Sequence, residues 1–194
     1  MRFGRVGVFG SLFNPPHLGH LVLAGEAAWQ LGLDRVVLVP TGMPAHRAAP
    51  AEPAEVRLRL AVAAATTDPG LTVSRVEIDR PGPSYMSDTL RELASRYPGE
   101  ELVLIIGADQ LAALPRWHEA ERLPELARIA VAERPGITVK GIERANVVQI
   151  AMPAIGISSS MVRERVAAGT PIRHLVPAAV EAIIAAEGLY RRPS

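Results

Sequence analysis

The chain has 194 residues, no cysteine, and 21 basic against 20 acidic residues, which gives a formal net charge of +1. This length predicts one domain over residues 1–194, and the 48% of hydrophobic residues can fill its core. The absence of cysteine excludes disulfides, thiolate nucleophiles and Cys-ligated zinc. The balanced charge argues against nucleic acid or a membrane surface as a partner. No signal peptide or membrane span is predicted, so we expect a cytoplasmic globular protein.

Short apolar runs alternate with helical patterns along the chain. Strands are predicted at residues 5–10, 35–40, 72–78, 102–106, 129–131 and 147–150, and a long loop at 41–53. Helices are predicted at residues 21–31, 54–67, 87–96, 159–168 and 177–186, with Trp29 of the first helix in the core. This alternation predicts an α/β fold, a parallel sheet with helices on both faces and a helical C-terminal portion at about 158–190. Ligands bind at the carboxyl ends of the strands in such a fold.

The segment after the first strand has the residues of a phosphate site. It reads Gly10-Ser11-Leu12-Phe13-Asn14-Pro15-Pro16-His17-Leu18-Gly19-His20. His17 and His20 are three residues apart, so both imidazoles can share one face at a helix start, and Gly19 leaves room for a ligand. A helix N-terminus with two imidazole donors suits a phosphate group. Two ordinary surface histidines are the alternative, but the position directly after a buried strand favours the site.

A second group with anion-binding character lies near the C-terminus. Ser158, Ser159 and Ser160 precede a predicted helix whose first turn has Arg163. Serines are good N-caps, and exposed N–H groups beside an arginine can hold an anion. Simple capping, with Arg163 in solvent, is an equally good interpretation of these residues alone. Because Lys140 is the only lysine, a phosphate-binding cation is expected to be arginine.

Several motifs together resemble a known family. His17-Leu18-Gly19-His20 is similar to the HxGH signature of the nucleotidyltransferase superfamily, and the longer stretch resembles bacterial nicotinate-nucleotide adenylyltransferases. The family usually has Gly-Gly-Thr/Ser-Phe-Asp at positions 10–14, and Lys where this chain has Arg47. Matching segments follow in the family's order almost to the end of the chain, at residues 39–47, 82–90, 106–109, 114–117, 134–136 and 157–163.

The resemblance implies a Rossmann-like, doubly wound fold and an enzyme of NAD biosynthesis. The implied reaction joins ATP and nicotinate mononucleotide to give deamido-NAD and pyrophosphate, with Mg²⁺ delivered by ATP. The implied catalytic residues are His17, His20, Arg47 and Arg163. The implied ATP-binding residues are Gly10, Ser11, Phe13, His17, Gly19, His20, Gly107, Asp109, Ile157, Ser158, Ser159 and Arg163.

The resemblance also assigns the acceptor side of the site. Nicotinate mononucleotide is expected to contact His46, Arg47, Tyr85, Thr89 and Trp117, with Trp117 stacked on the nicotinate ring. Thr89, through its side chain or its N–H, is expected to receive the pyridine carboxylate. The alternatives are a loop tryptophan that anchors on the core, an Asp109 that caps a helix and a His46 in a mobile loop.

Other functions remain open at this point. A different HxGH enzyme, a phosphopantetheine or nicotinamide mononucleotide adenylyltransferase, would share the histidines, and a non-catalytic nucleotide-binding regulator belongs to another class. A zinc site of His17, His20 and His46 would explain neither Trp117 nor Arg163. A homo-oligomer is compatible with the sequence.

Overall fold

Six parallel strands form the central sheet of this computed structural model, which describes residues 4–45, 48, 50–132 and 147–191. They are β1 (Arg5–Ser11), β2 (Arg35–Pro40), β4 (Leu71–Val73), β6 (Glu101–Gly107), β7 (Arg128–Ala132) and β8 (Val147–Ile150). Two shorter strands, β3 (Met43–Pro44) and β5 (Pro83–Ser84), pair with each other in a separate two-stranded sheet.

Helices connect the strands and form the C-terminal portion. They are α1 (Leu18–Leu31), α2 (Ala54–Ala65), α3 (Val76–Asp79), α4 (Met86–Arg96), α5 (Ala108–Ala113), α6 (Leu123–Leu126), α7 (Ser159–Ala167) and α8 (Ala178–Glu187). Single 3-10 turns lie at Leu114–Arg116 and Ala120–Arg122. Gly32 and Gly188 adopt the left-handed conformation that ends α1 and α8, as their positions in the sequence predict. In the part of the chain that the structure describes, no helix is long and apolar enough to cross a membrane.

The strand order places the switch point of the sheet between β1 and β6. The order is β4–β2–β1–β6–β7–β8, so the chain builds outward from β1 on one side and then returns to build on the other. Both neighbours of β1 are parallel to it, and Gly7 lies opposite Val36 of β2 and Val103 of β6. This topology confirms the predicted Rossmann-like α/β fold, and the loops at the carboxyl ends of β1 and β6 flank the crevice where such folds bind ligands.

Apolar side chains cover both faces of the sheet. In β6, Leu102, Leu104 and Ile106 belong to one buried cluster, whereas Val103 and Ile105 belong to a second. The first cluster includes residues of α4 and α6, and the second includes residues of α1 and α2. Successive strand residues point to opposite faces, so a strand that is apolar throughout needs cover on both sides.

Gly7 keeps the second core layer close to the sheet. A Cβ atom at this position would lie 2.8 Å from Leu33 Cδ1, 2.9 Å from Ile105 Cδ1 and 3.0 Å from Val36 Cγ2. These distances are shorter than a carbon–carbon contact of about 3.5 Å, so any larger residue would push the neighbouring side chains away.

Two predicted segments differ from the structure. The strand predicted at residues 72–78 ends at Val73, because the Ser74 hydroxyl accepts a hydrogen bond from the Val76 N–H (3.3 Å) and a turn of helix begins there. The loop predicted at 41–53 contains the short strand β3, whose partner β5 lies about 40 residues further along the chain. Local patterns do not reveal such a distant partner.

The prediction for Trp29 was wrong. Its side chain is 82% exposed, whereas Leu23, Ala24 and Ala27 are the buried residues of α1. Trp29 lies five positions after Ala24, which at 100° per residue places it about 140° from that buried residue around the helix. The helical spacing therefore places Trp29 on the solvent-facing side of α1, although its side chain is large and apolar.

We expect Trp29→Ser to change the free energy of unfolding by no more than about 0.5 kcal/mol, because the exposed indole loses little on replacement. Leu104→Ala, at a fully buried position of β6, should lose about 2–5 kcal/mol and serves as the control. Chemical denaturation followed by circular dichroism measures both. A loss above about 2 kcal/mol in Trp29→Ser would contradict the exposed placement.

Candidate functional site

A cleft of about 1000 Å³ lies at the carboxyl ends of β1 and β6. The end of β1, the start of α1, the end of β6, the Trp117 loop and residues 152–158 line it. The predicted site residues that line it are Gly10, Ser11, His17, Gly19, His20, Tyr85, Gly107, Trp117, Ile157 and Ser158. The structure therefore brings residues from both halves of the chain to the crevice at the switch point.

His20 has a defined tautomer when its ring is neutral. Its Nδ1 atom accepts a hydrogen bond from the backbone N–H of His17 (3.2 Å), so the single proton of the ring is on Nε2. Nε2 lies 3.4 Å from Ser11 Oγ, and both residues line the cleft. His20 thus presents an N–H donor to a bound group and has no free basic nitrogen.

His17 packs against His20 and leaves one ring nitrogen without a partner. The two ring centroids are 3.8 Å apart, and His17 is 8% exposed. Within the described residues, His17 Nδ1 is buried and has no hydrogen-bond partner. Gly19 makes this packing possible, since a Cβ there would lie 3.0 Å from that nitrogen. A buried polar atom without a partner at the edge of a cleft is a position where a ligand can bind.

Burial keeps both imidazoles neutral. Desolvation lowers the pKa of His17 to about 4. The pKa of His20 is lowered well below its usual value, first by burial and then by the neighbouring His17. Each ring is therefore an uncharged hydrogen-bond donor at neutral pH, able to bind a phosphate oxygen without an acid or base of its own.

The first turn of α7 lies against the loop between β1 and α1. Ser158 caps the helix, since its hydroxyl accepts from the Met161 N–H (3.2 Å). The Ser159 hydroxyl donates to the Pro15 carbonyl (2.8 Å), and Arg163 donates through Nη1 to the Asn14 carbonyl (2.7 Å). Ser158 and Ile157 line the cleft, whereas the side chains of Ser159 and Arg163 support the loop beside it.

Aromatic rings form the other end of the cleft. Tyr85 and His118 are stacked with ring centroids 4.2 Å apart, and both line the cleft with Arg116 and the half-buried Trp117. Tyr85 and Trp117 are predicted site residues, whereas His118 is not, and its position beside Trp117 is its only signal in the sequence.

Thr89 does not reach the cleft. Its side chain is fully buried, its hydroxyl donates to Glu77 Oε1 (2.8 Å), and its N–H donates to the Tyr85 carbonyl (3.1 Å). Arg80 donates to the same hydroxyl (2.9 Å). The hydroxyl and the backbone N–H of Thr89 are therefore both engaged in this structure, and the residue supports the side of the cleft that Tyr85 and Glu77 line. The partner Glu77 does line the cleft, and burial raises the pKa of its carboxyl.

Other predicted site residues lie behind the cleft or outside the described structure. Phe13 is fully buried, and its ring packs edge-on against His20 with centroids 5.1 Å apart, so it supports that imidazole from behind. His46, Arg47 and the side chain of Asp109 lie outside the described residues. Among the described residues, no group of three or more His, Asp or Glu side chains could hold a metal ion.

Arg57 is a supporting residue that the sequence analysis missed. It is 1% exposed and donates to three backbone carbonyls, those of Leu12 (3.0 Å), Gly42 (3.1 Å) and Glu52 (3.3 Å). It therefore joins the loop after β1 to the loop after β2. No local signal separates Arg57 from the neighbouring Arg59, whose partner is Glu187 at the surface.

The low pKa of His17 predicts a loss of stability in acid. Between pH 6.5 and about 4 the unfolded chain takes up a proton that the folded protein does not. The free energy of unfolding of the ligand-free protein should therefore fall as the pH falls, by about 3 kcal/mol over this range. His17→Gln should reduce the slope by about 1.4 kcal/mol per pH unit. Urea unfolding at pH 4–8 measures this, and equal slopes for His17→Gln and the unmutated protein would contradict it.

Comparisons with known proteins agree with this geometry. The family model described as cytidylyltransferase-like matches residues 8–165. A "Probable nicotinate-nucleotide adenylyltransferase" of Thermus thermophilus is 46% identical over 187 residues, which covers 96% of this chain and 100% of that protein. The protein with the same description in Saccharopolyspora erythraea is 44% identical over 190 residues, covering 96% and 90%.

Solved structures share the fold at lower identity. The Plasmodium falciparum nicotinic acid mononucleotide adenylyltransferase complexed with NaAD superposes with a TM-score of 0.81 at 14% identity, over 96% of this chain and 97% of that one. The same enzyme complexed with APC gives a TM-score of 0.77 at 15% identity, with the same coverage. The match to the family model and the near full-length relatives show that this chain belongs to the cytidylyltransferase-like family, in the group of the nicotinate-nucleotide adenylyltransferases.

Proposed function

We propose that this protein transfers the adenylyl group of ATP to nicotinate mononucleotide and releases pyrophosphate. The phosphate oxygen of the mononucleotide attacks the α-phosphorus of ATP in line. The bond from the α-phosphorus to the bridging oxygen breaks, and pyrophosphate leaves with the electron pair. The products are deamido-NAD and pyrophosphate. The observation that carries the proposal is the packed pair of imidazoles, His17 and His20, which line the cleft at the switch point of the sheet.

The chemistry requires positioning and charge stabilisation more than proton transfer. The attacking phosphate is anionic near neutral pH, so no general base is needed. This agrees with His20, whose Nδ1 is occupied by the His17 N–H and whose Nε2 has a proton to donate. We propose that His20 Nε2 donates to the α-phosphate of ATP and that His17 contacts the phosphate oxygens next to it. Donors fixed before the reaction can stabilise the charge that develops on the phosphate.

The other residues proposed to bind ATP lie near the start of α7 and at the ends of β1 and β6. The backbone N–H groups of Ser158 and Ser159, at the start of α7, are proposed to hold the β- and γ-phosphates together with Arg47, while Arg163 supports the adjacent loop through the Asn14 carbonyl. Gly10 and Ser11 at the end of β1, with Gly19, and Gly107 with Asp109, are proposed to contact the rest of ATP. Mg²⁺ enters as part of the substrate MgATP, held by the phosphate oxygens.

The acceptor is proposed to bind at the aromatic end. Trp117 and Tyr85 offer ring faces to the cationic pyridinium of nicotinate mononucleotide, and cations bind well over such faces. His46 and Arg47 are proposed to contact its phosphate. Because the donors of Thr89 are engaged, that residue contributes by holding the wall behind Tyr85. The nearby guanidinium of Arg116 adds positive charge at this end, which favours an acidic acceptor over a neutral one.

Pyrophosphate release with MgATP tests the proposal. Nicotinate mononucleotide, nicotinamide mononucleotide and phosphopantetheine are offered separately to the purified protein. We expect the first to give the highest kcat/KM, because its carboxylate gains more from cationic and N–H donors than an amide does. Turnover with phosphopantetheine alone would contradict the proposed acceptor. Binding of ATP without turnover of any acceptor would contradict the proposed catalysis.

His20→Ala removes the donor assigned to the α-phosphate. We expect kcat to fall by roughly 100-fold or more, the usual effect of losing one transition-state donor. The control is His174→Asn: His174 is exposed and has a φ of 64°, which asparagine tolerates. Steady-state kinetics and circular dichroism of both variants measure this. A folded His20→Ala protein with full kcat would contradict the assignment.

A further inference from the structure

Residues 12–17, between β1 and α1, form the proposed phosphate loop, and the side chain of Asn14 in this loop is a buried junction. Asn14 is 4% exposed and lies three residues before His17. Its Nδ2 donates to Glu52 Oε2 (2.7 Å), and its Oδ1 accepts from the Tyr190 hydroxyl (2.7 Å). Its backbone carbonyl accepts from Arg163 Nη1 (2.7 Å). One residue of the loop therefore contacts the segment before α2, the helix α7 and the chain after α8.

The chemistry of these contacts requires an amide at position 14. A carboxylate can only accept, so the atom that faces Glu52 must be a donor, while the opposite atom accepts from the phenol. An aspartate here would place two carboxylates within hydrogen-bond distance, and like charges so close cannot both remain ionised without penalty. Tyr190 remains a donor at neutral pH, since burial, followed by the charge of Glu52, raises its pKa well above its usual value.

The contacts of Asn14 are transmitted to the imidazoles. Pro15 and Pro16 are the only residues between Asn14 and His17, and their fixed φ angles leave little freedom to absorb a displacement. His17 in turn donates its backbone N–H to His20 Nδ1. A shift of Asn14 therefore moves the backbone group that sets both the orientation and the tautomer of His20.

We propose that Asn14, held between Glu52 and Tyr190, is a positioning residue that aligns His17 and His20 with the phosphates of ATP. The expected effect on turnover rests on the proposed function. The expected effect on the position of His17 and His20 rests on the hydrogen bonds alone. The charged and titratable groups around the junction are Glu52 before α2, Arg57 on α2, Arg163 on α7 and Tyr190 after α8. The fit of the amide to Glu52 is the feature to test.

Asn14→Asp and its rescue by Glu52→Gln provide the test. In Asn14→Asp, kcat/KM for ATP should fall roughly 30- to 100-fold, because a misplacement of about 1 Å has effects of this size. KM for nicotinate mononucleotide should stay within about twofold, since the acceptor end is unchanged. In the double variant a glutamine at 52 can donate to the new carboxylate, and kcat/KM should return to within about threefold of the unmutated protein. Glu52→Gln alone keeps an acceptor for Asn14 Nδ2 and should lose about threefold at most.

The pH profile separates repulsion between carboxylates from a general loss of packing. In Asn14→Asp the two carboxyls can share a proton at low pH, and their repulsion grows as the pH rises. The activity of this variant relative to the unmutated protein should therefore fall from pH 5.5 to pH 8 by about tenfold, and the double variant should show no such fall.

Gln30→Glu is a matched control on the same helix that begins at the phosphate loop. Gln30 Nε2 donates to Glu26 Oε2 (2.7 Å) and to the Ala151 carbonyl (2.6 Å), and its Oε1 accepts from the Ala151 N–H (3.0 Å), so the substitution makes the same amide-to-carboxylate change beside a glutamate. Its kcat/KM should remain within about twofold. A loss equal to that of Asn14→Asp would overturn the proposal, and so would full activity of Asn14→Asp or a folded double variant without rescue.

Binding of ATP keeps the inference testable apart from turnover. Calorimetry should show Kd for MgATP about tenfold weaker in Asn14→Asp and restored in the double variant. If the unmutated protein transfers no adenylyl group, the proposed function fails while this pattern still supports the positioning role. Equal affinities in all variants would overturn the positioning role even if the unmutated protein is an active adenylyltransferase.

Discussion

The buried guanidinium of Arg57 is the interaction on which the geometry of the cleft depends. A cation 1% exposed must have its donors satisfied, and Arg57 uses the carbonyls of Leu12, Gly42 and Glu52. Burial lowers its pKa, while the carboxylates of Glu52 and Glu77 oppose that shift. Because the three carbonyls belong to three separate segments, one planar group fixes the loops after β1 and β2 relative to α2. The β1–α1 loop is therefore held by side chains that do not line the cleft.

The C-terminal portion completes this support. Arg163 and Ser159 of α7 donate to carbonyls of Asn14 and Pro15, and Tyr190 reaches the Asn14 side chain from beyond α8. The β1–α1 loop is thus surrounded by residues from positions up to 176 further along the chain. Such preorganisation matters for a reaction whose catalyst mainly positions two phosphates, since donors that are already fixed need not reorganise as charge develops.

The two ends of the cleft are supported differently. At the end formed by His17 and His20, backbone carbonyls accept hydrogen bonds from the buried Arg57 and from the half-buried Ser159 and Arg163, and the imidazoles stay neutral through desolvation. At the aromatic end, the stacked rings of Tyr85 and His118 lie next to a group of ion pairs. Arg91 of α4 pairs with Asp88 and with Glu119, the residue that follows His118. These pairs are about one-third exposed, so each contributes little alone and serves mainly to orient the loop. The two ends therefore differ in the kind of contact that supports them, hydrogen bonds to backbone carbonyls at one and partly exposed ion pairs at the other.

The sequence by itself determined the alternation of the main strands and helices, the parallel sheet and the position of the β1–α1 loop, because each depends on local periodicity and on glycine and proline at turns. It also predicted that His17, His20 and Trp117 belong to one site, and the structure places all three at the cleft. Only the tertiary structure decided that Trp29 is exposed, that Thr89 is engaged behind the wall, and that Arg57 and Asn14 hold the loops. These features depend on partners that are distant in the chain. Burial and hydrogen-bond satisfaction are properties of the assembled fold, and no local pattern encodes them.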